Sequence, residues 1–182
     1  MTGDLPVGES ARGSGHPILL YDGVCGLCNR LVQFILRRDP AGVFRFAALQ
    51  GELAGRILAR HEANARDLDT VYVVVDYELP DERLLPRSDA VIFILRNLGA
   101  AELRSDRTGG APVPTQAEST PSMFWRMMGH LLQLVPRPLR DWGYGIVARN
   151  RYRAFGRYDA CPLPTEDTRS RFLDLQRWQR RL

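Results

Sequence analysis

Through the first hundred residues, short apolar runs alternate with stretches whose apolar residues return every three or four positions. Residues 18–21, Ile-Leu-Leu-Tyr, form one such run and predict a buried strand. Between 25 and 38 the apolar positions Leu27, Leu31, Phe34 and Ile35 keep helical spacing, and Asp39-Pro40 ends the helix. Residues 43–47 alternate as a second strand, and 52–63 carry Leu53, Ile57 and Leu58 on one helical face. The β-branched run 70–76 is the strongest strand signal. A turn around Leu79-Pro80-Asp81 joins it to 83–86 as an antiparallel hairpin. Ser88 is placed to cap a third helix, with Val91, Ile94, Leu95 and Leu98 facing the core and Gly99 as its stop.

After Gly99 the pattern changes. Residues 105–122 hold Gly109-Gly110, prolines and small polar residues, and predict a flexible insertion. Residues 123–135 are helical in pattern, Pro136 and Pro138 break them, 139–155 resume, and 166–178 form a last amphipathic helix. The domain plan is a disordered tail over 1–15, a domain over 17–99, and a helical extension over 123–182 packed on it.

Bulk properties narrow the class. The chain's 182 residues suit one domain with a proper core, and its 45% hydrophobic and 25% charged content is ordinary for a globular protein. All 25 basic residues are arginine and the net charge is +4. Arg149, Arg151, Arg153 and Arg157, interleaved with Tyr152 and Phe155, could form a basic aromatic surface; a solvated helix face with ion pairs is the plainer account, so no nucleic acid is expected. Residues 1–15 lack the apolar stretch of a signal peptide, and no run approaches the ~18 residues that span a bilayer. Trp125, Trp142 and Tyr144 offer a membrane-surface alternative, against which Pro136 and Pro138 argue by interrupting any long amphipathic face. Three cysteines are too few for a secreted disulfide scaffold, which places the protein in a reducing cytoplasm.

Chemistry concentrates at 16–29. A strand, a Gly-containing turn, Cys25-Gly26-Leu27-Cys28 and a helix follow in that order. A helix start presents unpaired N–H groups and the positive end of the dipole, both of which favour thiolate over thiol. Lowering a cysteine pKa from about 8.5 to about 7 raises the thiolate fraction at pH 7 from roughly 3% to roughly half. Cys25, nearer the helix tip and expected to be the more exposed, is the attacking thiolate; Cys28, one turn deeper, resolves the mixed disulfide. A zinc knuckle is the alternative, although only Cys161 and three scattered histidines could complete it. Asn29 stands where a c-type haem site needs histidine. The assignment is therefore thiol–disulfide exchange with no bound organic cofactor and no metal, on a disulfide-containing protein or a small thiol. Its reductant is unknown. A non-catalytic binding module, with or without a metal on the cysteines, is the competing class.

Asp22 poses a problem. A carboxylate ~6 Å from a thiolate repels it by about 2–3 kcal/mol at an effective dielectric near 20, enough to cancel the helix effect. Asp22 is turned away, paired with an arginine such as Arg149 or Arg151, a proton acceptor for Cys28, or merely a cap on the turn.

The element order β-α-β-α-β-β-α with the dithiol opening the first helix matches the thioredoxin-like fold, an α/β fold of three layers around a central mixed sheet. The right-handed crossover rule makes 18–47 a parallel βαβ unit. Residues 21–29 resemble the opening signature of the DCC family of thiol–disulfide oxidoreductases, with Asp22, Cys25 and Cys28 matching its Asp, Cys and Cys. Residues 86–90, 147–153 and 155–162 are similar to further segments of that family, so the resemblance spans about 17–173. It implies redox activity at the matching Asp22, Cys25 and Cys28; Tyr21, Gly26, Leu27 and Asp69 are the candidate substrate-binding residues. Thioredoxins carry a cis-proline just before the strand that faces the dithiol. Here Asp69 holds that position, so substrate docking differs from theirs. Cys161 is an inert buried thiol, a second resolving cysteine or a metal ligand.

Overall fold

The structure, a computed structural model, describes residues 15–64, 70–98, 120–158 and 166–174. Its first part alternates β1 (Ile18–Tyr21), α1 (Gly26–Arg38), β2 (Arg45–Ala48), α2 (Glu52–Arg60), β3 (Tyr72–Val75), β4 (Arg83–Pro86) and α3 (Arg87–Asn97). The sheet order is β2-β1-β3-β4, with β1 and β2 parallel and the other two pairs antiparallel. This is the mixed sheet of a thioredoxin-like α/β fold.

Every residue of β1 and β3 is buried, because both faces of the sheet are covered. Leu19, Tyr21, Phe46 and Val73 pack toward α1 and α3, whereas Ile18, Leu20, Ala47 and Val74 pack toward Leu53, Ile57 and Leu58 of α2. β2 begins two residues later than the alternation suggests. The buried Asp39 carboxylate accepts the N–H groups of Val43 and Phe44 (both 2.9 Å), which occupies them outside the ladder. Arg171 pairs with the same carboxylate.

The second part is helical: α4 (Thr120–Leu134), α5 (Arg137–Phe155) and α6 (Glu166–Arg169). Proline in its first turn starts α5, and Gly156, at φ 76°, ends it. α4 and α5 pack on α3, and α5 also packs on α1. Of the helix expected over 166–178, whose last residues 175–178 lie outside the described residues, the described part holds a single turn. Beyond it residues 171–173 leave the helix and lie beside β2, with Phe46 N–H bonded to Arg171 O (2.8 Å) and Leu173 N–H to Phe46 O (2.9 Å). Ser88 does not cap α3, whose N-cap is Pro86; its hydroxyl instead donates to Asp141 of α5. The tail over 1–14 and most of the 105–122 insertion lie outside the described residues.

Candidate functional site

Cys25 is the N-cap of α1 and Cys28 sits in its first turn. The two side chains are hydrogen-bonded to each other and form no disulfide. That bond to Cys28 is the main reason the Cys25 thiol falls from an ordinary 9.0 to about 6. Burial opposes the fall; the N–H groups of Cys28 and Leu27 and the charge of Arg151 assist it. Those N–H groups lie near the sulfur without the geometry of a full capping bond. Cys28 moves the other way, well above the usual thiol range. Its bond to Cys25 is again the first cause, followed by burial and the charge of Cys25. The pair is therefore polarised, with a thiolate at the helix tip and a proton-bearing thiol one turn in.

Asp22 carries no exposed surface, and the structure accounts for its charge. Oδ1 accepts Val24 N–H (3.1 Å) and Gln50 Nε2 (2.7 Å). Oδ2 takes an ion pair from Arg151 Nη2 (3.3 Å) and a hydrogen bond from the Tyr152 hydroxyl. Arg151 is itself 97% enclosed, its exposure being 3%. Burial first, and then the bond to Asp22, holds the Tyr152 phenol above its ordinary range, so it stays a donor. The repulsion expected between Asp22 and a Cys25 thiolate is offset by a cation from α5. Arg149, the other arginine proposed for this pairing, is exposed.

One expectation is overturned here. Cys25 is the more enclosed of the two residues, with 0% exposure against 6% for Cys28. The cause is the chain leaving α5. Residues 156–158 run over the helix tip, with Gly26 N–H bonded to Gly156 O (3.1 Å) and Tyr158 N–H to Val24 O (2.8 Å), and Arg157 bridges to Cys25. Gly26 permits this, since a Cβ there would overlap the Phe155 carbonyl oxygen. Tyr21, expected near substrate, is also buried; its ring meets Phe172 edge-on at 6.5 Å. Leu27 is half-buried, while Asp69 and Cys161 lie outside the described residues.

Sequence reasoning missed Gln50, whose role depends on a contact 28 residues away, and Tyr152, noticed only as part of an arginine cluster. Asn29 was also informative: its amide donates to Gly23 O and Cys25 O (both 2.9 Å) and ties the turn to the helix. Among the described residues no group of three or more His, Cys, Asp or Glu is gathered as for a metal ion, and no helix is long and apolar enough to cross a membrane.

The family model of DCC1-like thiol-disulfide oxidoreductases matches residues 19–105. A chloroplastic DCC family protein of Arabidopsis thaliana is 33% identical over 148 residues, which cover 81% of this chain and 70% of that protein. This chain belongs to the DCC family. The uncharacterized protein YuxK of Bacillus subtilis (strain 168) is similar at 33% identity over 156 residues, 86% of this chain and 93% of YuxK. No solved structure gives a significant match. In this DCC protein the Asp and two Cys of the signature form one connected unit. The Asp22 carboxylate fixes the turn, and its backbone N–H is directed at the Cys28 sulfur.

Proposed function

We propose that this DCC protein is a thiol–disulfide oxidoreductase in which Cys25 attacks and Cys28 resolves. The observation that carries this is the polarised pair: a thiol at about 6 is about nine-tenths thiolate at pH 7. The Cys25 thiolate attacks one sulfur of a substrate disulfide. A mixed disulfide forms, and the other substrate sulfur leaves with the electron pair and takes up a proton. Cys28 then loses its proton to solvent and attacks Cys25, forming the Cys25–Cys28 bond and expelling the second substrate thiolate. The substrate gains two electrons and the dithiol loses two. Asp22 acts as a positioning residue, since its carboxylate is engaged by Val24, Gln50, Arg151 and Tyr152. Attack at Cys25 requires residues 156–158 to lift, which breaks two backbone hydrogen bonds.

The enclosure of Cys25 favours a second reading, a thioredoxin-like binding module without catalysis. Insulin-disulfide reduction driven by dithiothreitol separates the two. Turnover by the wild type that drops at least about a thousandfold in Cys25→Ser supports the enzyme; equal rates for the two proteins support the module. We assign the protein to a reducing cytoplasm on its three cysteines in 182 residues.

A further inference from the structure

A groove bounded by α1, α3, α4 and α5 reaches Cys28, and none of residues 156–158 lines it. It encloses about 490 Å³, within the range of small-molecule sites. Its surface is mainly apolar, supplied by residues such as Leu27, Leu31, Val91, Leu132, Leu139 and Val147. Leu139 and Val147 are also among the exposed apolar residues, so the groove opens to solvent along α5.

Two features fix what the groove can serve. Cys28 lines it and Cys25 does not, so of the two cysteines the groove gives approach to Cys28. Thr70 and Val71, just ahead of β3, line it too, and Val71 N–H is bonded to the Tyr144 hydroxyl of α5 (2.9 Å). An extended peptide laid along this end of β3 would need that N–H for main-chain pairing, and α5 has already taken it. What the groove itself offers is a compact apolar space ending at Cys28.

We propose that the groove takes a low-molecular-weight thiol with an apolar body, which reduces the oxidised dithiol by attacking Cys28. The proposal rests on the thiol–disulfide function above and supplies its reductant. The incoming thiolate forms a bond to Cys28 Sγ; the Cys25–Cys28 bond breaks, and Cys25 departs with the electron pair as thiolate. A second molecule of the thiol attacks the sulfur of the first, releasing the small disulfide and leaving Cys28 to take up a proton. Two small thiols are thereby oxidised to one disulfide and the protein disulfide is reduced to the dithiol. Exchange proceeds at the sulfur that can be reached, and the groove reaches Cys28 and not Cys25.

The test uses the full chain oxidised to its Cys25–Cys28 disulfide, and compares its rate of reduction by benzyl mercaptan and by 2-mercaptoethanol. Benzyl mercaptan is expected to be faster by at least about tenfold, about 1.4 kcal/mol. Gly143 lines the groove, and a Cβ built on it meets nothing within 4 Å, so Gly143→Leu fills the space without a clash at its root. That variant should bring the ratio of the two rates near unity. Toluene, which cannot exchange, should slow benzyl mercaptan on the wild type, a measurement independent of how the variant folds. Equal rates with the two thiols on the wild type overturn the proposal, as does a preference that neither Gly143→Leu nor toluene reduces. Failure of both thiols to reduce the protein at all overturns the oxidoreductase function itself.

Discussion

Residues 16–98 and residues 120–174 stand in different relations to the same two sulfurs. The first region makes them: a buried strand, a turn held by Asp22 and Asn29, and the opening of α1. The second governs what they meet. It brings Arg151 and Tyr152 to the Asp22 carboxylate, lays 156–158 over Cys25, and leaves a groove beside Cys28. A thioredoxin-like sheet thus supplies reactivity, while a helical addition supplies charge balance and access. Separating the two tasks means that access can be altered without touching either cysteine.

The sharpest way to break this comparison is to remove the cation that the second region lends to the first. Arg151→Met leaves a buried carboxylate without its counter-charge and is expected to cost about 3–5 kcal/mol in urea unfolding. Adding Asp22→Asn should recover much of that loss, because the carboxylate left without its counter-charge is then gone. A single substitution costing under about 1 kcal/mol, or a double variant no better than the single, would show that the regions are not coupled through this pair.

Next in size is the cover over Cys25. Gly26→Ala pushes a methyl group against the Phe155 carbonyl, so the chain must shift, at a cost of about 1–3 kcal/mol. Alkylation of Cys25 by iodoacetamide should quicken several-fold as 156–158 loosens. An unchanged alkylation rate would mean that these residues do not limit access.

The smallest effects concern pH. Alkylation of Cys25 should rise with pH through about 6 and then level off, and Cys28→Ala, which leaves no side-chain donor there, should move that midpoint upward by removing the main cause of the shift. Stability follows the same linkage. Because the folded thiol lies below its ordinary 9.0, its thiolate stabilises the fold fully above pH 9. That contribution is lost as pH falls toward about 6. Above pH 9 the raised Cys28 thiol works in the opposite direction. The stability of the wild type relative to Cys25→Ser should therefore grow between pH 6 and 9, as thermal unfolding across that window can check.

The same division explains what could be read along the chain. β1 and β4 follow from local period and composition, and the Cys-x-x-Cys at a helix start follows from spacing. Of the face expected for α1 only Ile35 is buried, with Cys28 and Val32 beside it, while Leu27, Leu31 and Phe34 are half-buried. The Asp22–Arg151 pair was foreseen as one of several resolutions, because a carboxylate beside a thiolate demands a partner. What escaped were the contacts that the second region makes at a distance. Ser88 was spent on Asp141, 53 residues later, and not on its own helix. Cys25 was enclosed by chain some 130 residues downstream. Neither contact leaves a periodic trace at the residue it affects.

Residues 171–173 carry a consequence of their own. Their two hydrogen bonds occupy the side of β2 that would otherwise present unpaired backbone groups to solvent. Such a bare sheet margin is a template on which a second molecule can add its own strand. A chain cut before residue 170 should consequently self-associate at concentrations where the intact chain does not, with Phe46 and its neighbours as the seam of the aggregate.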